Sequence, residues 1–208
     1  ACAVYFSTLT AYSLVAYDWR MRQPFFTMIL AVMMIPTQVV SIGFYQFMYR
    51  INFEFTLFKH VFEITGTNNL LALILPAIAA PMTVFFMRQY MLPSLNLDIV
   101  ASARIDGAGE FRTFNSIVLP IMKPAMATQA IFTYVTTWNN LFIPMILLTD
   151  KKNYTMPIMV SLLKGDIYKT EYGAVYLALT LSVLPLFVVY FLLSKYIIAG
   201  VALGSVKE

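Results

Sequence analysis

Long apolar runs, each of roughly 20 residues and separated by short polar segments, dominate the chain. A run of that length is what a helix needs to cross the hydrocarbon core of a bilayer. A helix also satisfies its own backbone groups inside lipid, and the runs lack the two-residue alternation of a membrane barrel. The pattern predicts an all-α fold, a polytopic membrane helical bundle formed by one transmembrane domain over residues 1–208. The predicted spans are residues 1–17, 24–49, 68–90, 120–148 and 173–198.

The polar segment of residues 94–117 is too long and too charged for a simple turn between spans. It predicts two short helices joined at Gly107, because glycine tolerates the positive φ of a sharp turn. We expect Asp98 at the N-cap or in the first turn of the first helix, and Asp106 as a side chain that bonds local amides. The predicted apolar faces consist of Ile99, Val100, Ala103 and Ile105 in the first helix, and of Phe111, Phe114 and Ile117 in the second.

Composition supports the membrane assignment, since 60% of the residues are hydrophobic, 12% are charged and the mean hydropathy is +0.75. The net charge of +4 does not indicate nucleic acid, because the basic residues lie at the ends of apolar runs. One cysteine and one histidine, His60, give no metal cluster, and the sequence has no phosphate-binding glycine loop. We therefore expect no cofactor, no enzymatic activity and no nucleotide site in this chain, and a surface or interfacial role for His60. The start at Ala1, inside an apolar run, suggests a fragment that lacks its true N-terminus.

The polar segment resembles the EAA loop of permease subunits in bacterial ABC importers, in particular the carbohydrate, maltose-type branch. The resemblance is carried by ARIDGA at residues 103–108, by Glu110 and Phe111, and by IVLPIMKPA at residues 117–125. One departure stands out: the family usually has Glu-Ala-Ala where this chain has Ala101, Ser102 and Ala103. Further similar stretches are AYSLVAYDWR at 11–20, MMIPTQVV at 33–40, FFMRQY at 85–90, WNNLFIPMILL at 138–148 and AGVALGSVKE at 199–208.

The resemblance implies a multi-pass subunit of the bacterial inner membrane with three kinds of protein partner. These are a second permease subunit, cytoplasmic ATP-binding subunits, and an extracytoplasmic sugar-binding protein. It places residues 94–117 in the cytoplasm as the loop that couples to the ATPase, and the segments 50–67 and 150–172 outside. It also implies that a first span precedes this sequence. The candidate coupling residues are Asp98, Ala101, Ser102, Ala103, Arg104, Asp106, Gly107, Glu110 and Phe111.

Polar residues inside the apolar runs are candidates for a sugar path between two permease subunits. Asn139 and Asn140 follow Trp138, and sugars favour such a pairing of amides with an indole face. Gln38 is a weaker candidate. Buried amides need partners, so hydrogen bonding between helices is the alternative interpretation for all four side chains.

Three other functions compete with the carbohydrate importer. The first is an ABC permease for another solute, such as polyamine, phosphate or peptide; a charged solute would favour ionisable residues at the centres of the spans, and we find none there. The second is an integral-membrane enzyme, which the single histidine disfavours. The third is a structural subunit of another membrane complex, which co-purification with an ATPase would distinguish.

Overall fold

The computed structural model describes residues 1–50, 52–57, 60–65, 67–165 and 171–204. For residues 52–57, 60–65 and 196–204 the description is restricted to secondary structure, so the side chain of His60 lies outside it. The last four residues of the C-terminal motif, 205–208, also lie outside the described residues.

Most of the described chain is helical, which confirms the predicted helical membrane bundle. The first helices are α1 (Cys2–Ala16), α2 (Arg22–Met33), α3 (Thr37–Arg50), α4 (Leu70–Ala77) and α5 (Pro81–Ser94). The later ones are α6 (Leu97–Ile105), α7 (Glu110–Thr113), α8 (Leu119–Trp138), α9 (Phe142–Leu147), α10 (Met156–Leu163) and α11 (Tyr172–Gly204). Strands β1 (Asn52–Leu57) and β2 (His60–Thr65) pair antiparallel, with Asn52 opposite Thr65, inside a segment predicted to lie outside the bilayer.

Two predicted spans contain breaks at prolines. Pro36 lies between α2 and α3, where its ring and missing N–H oppose a continuous helix. Pro81 opens α5 at a position whose N–H has no helical partner in any case, so the residue is tolerated there. By contrast, Pro76 and Pro185 lie inside α4 and α11.

Within the described residues, two helical stretches are long and apolar enough to cross a bilayer. They are Leu70–Ser94, taken across the break between α4 and α5, and Tyr172–Lys195. Arg22–Met33 and Thr37–Arg50 qualify when they are counted as one broken span, and Cys2–Ala16 is a shorter apolar helix. The five crossings and their orientation therefore stay predictions.

The chain divides into two compact units. The first contains residues 1–34, 78–134 and 190–208, and its core is built around the packing of α1 against α5. Ala3, Ser7 and Ala11 are buried at four-residue spacing on one face of α1, and such small side chains let helices approach closely. Met87 and Met91 of α5 are fully buried in the same unit.

The second unit contains residues 35–77 and 135–189. Its core includes Met48 of α3, Ala72 of α4 and Leu147 of α9. Asn68 ties two loops of this unit together: its N–H donates to the Leu147 carbonyl at 2.8 Å, and its side-chain oxygen accepts from the Asp150 N–H at 2.9 Å. The φ of Asn68 is +60°, a conformation that asparagine adopts more readily than most residues.

Candidate functional site

The first helix of the coupling loop, α6, is capped by Asn96. The Asn96 side-chain oxygen accepts a hydrogen bond from the Asp98 N–H at 2.9 Å. Of the two positions considered for Asp98, the structure selects the first turn and gives the N-cap to Asn96. The carboxylate of Asp98 still opposes the positive end of the helix dipole, so its favourable effect on the helix remains.

Gly107 forms the predicted turn, and backbone hydrogen bonds define its geometry. Its φ is +76°, in the left-handed region. The Gly107 N–H donates to the Arg104 carbonyl at 3.0 Å, and the Ala108 N–H reaches back to the Ala103 carbonyl at 2.9 Å. Together these bonds make a Schellman motif, which satisfies the last carbonyls of α6 and requires a residue with positive φ. Asp106 is the C-cap, and its N–H donates to the Ser102 carbonyl at 3.0 Å.

The apolar residues of the loop lie on two different sides, not on the single faces expected from the sequence. Val100 and Ala103 are buried, and only 6% of the Ala103 surface is exposed. Phe114 is fully buried, whereas 86% of Ile105 and 67% of Phe111 are exposed. The loop therefore has an inner side that packs on its own unit and an outer side with uncovered apolar side chains.

Ala103 thus belongs to the inner side, so its side chain is not available to a partner. Ala101 and Ser102 are exposed and small. The Ser102 hydroxyl donates to the Asp98 carbonyl at 2.8 Å, one turn earlier in the same helix. Of the candidate coupling residues Ala101, Ser102 and Ala103, the first two are therefore accessible to a partner.

Arg104, Glu110 and Tyr17 form a polar cluster on the inner side of the loop. The Arg104 Nε–H donates to Glu110 Oε1 at 2.9 Å, and the Tyr17 hydroxyl donates to Glu110 Oε2. The Arg104 guanidinium carbon lies 4.8 Å from the centroid of the Tyr17 ring. Each of the three residues therefore contacts the other two.

These contacts shift the protonation equilibria of the two charged members. The hydrogen bond from Tyr17, and next that from Arg104 with its positive charge, lower the pKa of Glu110, although partial burial opposes the shift. The hydrogen bond with Tyr17, and next that with Glu110, raise the pKa of Arg104. Both effects favour the charged forms, so the cluster contains a carboxylate and a guanidinium at neutral pH.

Tyr17 was not among the predicted site residues. It lies 93 positions from Glu110 in sequence, and it directly follows α1. The signal available in the sequence is its place in AYSLVAYDWR, where a tyrosine ends an apolar run just before charged residues. Such a position indicates a membrane interface but does not identify the partner of the hydroxyl group.

The second helix of the loop continues into the following apolar helix. Residues Phe114–Val118 form a π-helical turn between α7 and α8, and the Leu119 N–H donates to the Phe114 carbonyl five residues earlier. Pro120 follows directly and has no N–H to donate, so a widened turn before it is a physically reasonable solution. The loop and α8 are therefore joined without a linker.

The candidate residues for a substrate path lie in the second compact unit. The Trp138 indole N–H donates to the Ser182 carbonyl of α11 at 2.9 Å, three residues before Pro185. The indole N–H therefore joins the end of α8 to α11. This agrees with the alternative interpretation of Trp138, hydrogen bonding between helices.

The two asparagines make local hydrogen bonds. The exposed Asn139 amide donates to the Val135 carbonyl at 2.9 Å, one turn earlier. The Asn140 side-chain oxygen accepts from the Ile143 N–H at 3.4 Å, at the start of α9. Gln38 is exposed on α3. Asn139 and Gln38 are therefore exposed, whereas the Asn140 side chain bonds the backbone at the start of α9.

The fold is that of a helical membrane protein whose polar loop forms two short helices around the Gly107 turn. The chain belongs to the family of binding-protein-dependent transport system inner membrane components, which it matches over residues 3–202.

Several curated relatives cover nearly the whole chain. The arabinooligosaccharides transport system permease protein AraQ of Bacillus subtilis is 34% identical over 205 residues, covering 98% of this chain and 67% of the relative. The protein of the same name from Halalkalibacterium halodurans is 33% identical over 202 residues, covering 97% and 67%. The trehalose/maltose transport system permease protein MalG of Thermococcus litoralis is 27% identical over 203 residues, covering 97% and 68%. This chain thus spans about two thirds of the length of these relatives.

Proposed function

We propose that the chain is a transmembrane permease subunit of an ATP-driven carbohydrate importer, with an oligosaccharide as its substrate. Family membership supports the transport role. The names of the relatives, which refer to arabinooligosaccharide and trehalose/maltose transport, support the substrate class. In this proposal the chain forms half of the translocation path with a second permease subunit. A soluble sugar-binding protein delivers the substrate outside, and separate cytoplasmic subunits hydrolyse ATP.

The observation that carries the coupling role is the uncovered apolar side of the 94–117 loop. Ile105 and Phe111 flank the Gly107 turn and are 86% and 67% exposed. Large apolar side chains at the tip of a polar loop, held by a hydrogen-bonded turn, are typical of a surface that a partner covers. We assign that partner as the ATPase subunit, since the loop otherwise presents this apolar surface to water.

The continuous connection from the loop to α8 gives the coupling a structural basis. The π-helical turn passes directly into α8, and Phe114 inside that turn is fully buried in the first unit. A displacement of the loop by the ATPase is therefore transmitted to a predicted span without a flexible linker. Thermodynamically, the ATP site and the sugar path are then linked, and each changes the binding equilibrium at the other.

A charge on the outer side tests this assignment. Ile105→Glu and Phe111→Glu should each abolish retention of the ATPase by the affinity-purified transporter, because a carboxylate is placed where an apolar contact forms. Met21→Glu is the matched control: it introduces the same charge at an exposed apolar residue of the 18–23 turn. The predicted order of spans places this turn in the cytoplasm, because the segment 50–67 at the other end of the span 24–49 is predicted to lie outside. Normal ATPase retention by both loop variants would contradict the docking role.

The substrate class needs a separate measurement. We expect proteoliposomes of the complete transporter to import arabinotriose, maltotriose or raffinose with ATP, and not spermidine, phosphate or a tripeptide. Import of one of the latter three instead would establish the alternative, an ABC permease for another solute.

Asn139 is the best probe of the substrate path, because the Asn140 side chain also accepts a backbone hydrogen bond from Ile143 at the start of α9. Asn139→Leu should lower sugar uptake while assembly is unchanged, and Asn139→Gln should restore part of it. Unaltered uptake and unaltered substrate preference in Asn139→Leu would remove this residue from the path.

A further inference from the structure

The contacts of the inner cluster join three separate elements of the first compact unit. Tyr17 directly follows α1, Arg104 lies in the last turn of α6, and Glu110 is the first residue of α7. The two oxygens of the Glu110 carboxylate are shared between the Tyr17 hydroxyl and the Arg104 guanidinium. Both charged side chains are thus engaged in contacts within the chain.

The cluster continues into α1 through aromatic contacts. The Tyr17 and Tyr12 rings meet edge to face, with centroids 5.5 Å apart, and the Tyr12 and Phe114 centroids are also 5.5 Å apart. Tyr5, two turns earlier on α1, contacts Phe114 at 5.7 Å, and its hydroxyl donates to the Asn115 side-chain oxygen at 2.9 Å. A connected set of side chains therefore runs along α1 and holds it against the π-helical turn.

Both packing and polar contacts hold the loop to the end of α1, since Tyr12 and Val15 share a buried core cluster with Val100 and Phe114. A cleft of about 250 Å³ opens beside the cluster and is lined by Tyr12, Tyr17, Glu110 and Phe111, among others. Beside this cleft, the hydrogen bonds at Glu110 and the Arg104 guanidinium over the Tyr17 ring link the loop directly to Tyr17.

We propose that Tyr17, Arg104 and Glu110 form a clasp that makes α1 move together with the coupling loop. The proposal rests on the proposed function, since it assumes that an ATPase moves the loop. In it, Arg104 and Glu110 are positioning residues inside the permease and do not bind the ATPase. The force applied at the outer side of the loop then reaches two helices, α8 through the π-helical turn and α1 through the clasp.

The exposed Cys2 provides a probe at the opposite end of α1. It is the only cysteine in the sequence, and the 15 residues of α1 separate it from Tyr17 by about 22 Å. In the complete transporter, assembled with cysteine-free partner subunits, the rate of Cys2 labelling by a small maleimide reports on α1. We expect ATP with vanadate to change that rate at least about fivefold in the otherwise unaltered transporter.

Tyr17→Phe removes the hydroxyl and keeps the ring. We expect this variant to retain the ATPase and to hydrolyse ATP, but to lose most of the nucleotide-dependent change in Cys2 labelling. Tyr176→Phe is the matched control, because Tyr176 is exposed on α11 and lies outside the clasp. Glu110→Gln keeps an acceptor for Tyr17, so it should lose less of the change than Glu110→Ala.

The outcomes separate this proposal from the proposed function. A full labelling change in Tyr17→Phe, or no change in the unaltered transporter, would overturn the clasp while the docking role stands. Loss of the ATPase from Tyr17→Phe would also overturn it, since the cluster would then act in docking. Failure of the docking role is recognised independently, as normal ATPase retention by both Ile105→Glu and Phe111→Glu.

Discussion

Substitutions at Gly107 test quantitatively whether the turn positions the outer side of the loop for binding of the ATPase. The positive φ of +76° is the only obstacle to a side chain at this position, because a Cβ built there meets no atom within 4 Å. Gly107→Ala therefore costs the backbone strain alone, which is about 1 to 2 kcal/mol for a residue with a Cβ in the left-handed region. Gly107→Asn should cost less, since asparagine is the non-glycine residue most often found there.

Among the three substitutions at Gly107, Gly107→Pro should destabilise the turn most. Proline fixes φ near −65°, so the chain leaves α6 in a different direction. It also removes the N–H that donates to the Arg104 carbonyl at 3.0 Å, a bond worth about 1 kcal/mol net. In addition, it disfavours the helical conformation of the preceding residue, Asp106. The turn therefore cannot form in this variant.

The apparent affinity for the ATPase subunit measures these costs. If only the native turn can dock, the dissociation constant rises in inverse proportion to the population of that turn. A strain of 1 to 2 kcal/mol sets an upper limit of about 5- to 30-fold for Gly107→Ala. The expected order of affinity is glycine, asparagine, alanine and then proline, as measured by titration of the ATPase onto the immobilised permease pair.

Gly109→Ala is the matched control two residues away. Gly109 has a φ of −67°, and a Cβ there also meets no atom within 4 Å, so we expect a change of less than about twofold. Equal affinities for the alanine, asparagine and proline variants at Gly107 would refute the reasoning. So would an alanine variant that binds as tightly as the unaltered chain while the Gly109→Ala control is weakened.

Three further predictions use other positions. Ala101→Glu places an exposed carboxylate where the family usually has one, and should tighten ATPase binding in titrations at low salt but not at high salt. Ala103→Glu buries a charge on the inner side of the loop, and should lower the melting temperature of the detergent-solubilised permease, whereas Ser102→Glu should not. The lowered pKa of Glu110 means that its carboxylate stabilises the fold above the carboxyl pKa of the unfolded chain. The difference in melting temperature between the unaltered chain and Glu110→Gln should therefore be full above the ordinary carboxyl pKa, shrink as the pH falls below it, and vanish below the lowered pKa.

The sequence was sufficient to predict the helical fold and the position of the loop turn. Both follow from local rules: the length of apolar runs determines helices in lipid, and a glycine after a short helix supplies the positive φ of a Schellman motif. The predicted run 1–17 agrees closely with Cys2–Ala16, and the turn lies at Gly107 as expected.

Breaks inside apolar runs were harder to predict. Pro36 interrupts one predicted span, whereas Pro185 lies within the 33-residue helix α11. Proline removes one hydrogen bond in either case, and whether the helix ends there depends on the tertiary contacts available to the freed groups. Periodicity along the chain does not contain that information.

The two sides of the coupling loop were also not predictable from its own sequence. Ile105 and Phe114 are both large and apolar, yet one is 86% exposed and the other fully buried. What separates them is α1, whose Tyr5 and Tyr12 cover Phe114 and whose end supplies Tyr17 to Glu110. These are contacts between residues roughly 100 positions apart, and a local pattern of apolar residues does not identify them.

The division of the loop into an inner and an outer side affects the interpretation of Ala101, which stands where the family usually has a glutamate. Glu110 and Arg104 are paired within the chain, so we do not expect either of them to replace that carboxylate at a partner surface. The outer side therefore offers the apolar surfaces of Ile105 and Phe111 near an uncharged Ala101. If the docking role holds, the contact of this subunit with the ATPase includes apolar burial of Ile105 and Phe111, and in the proposed clasp Arg104 and Glu110 hold α1.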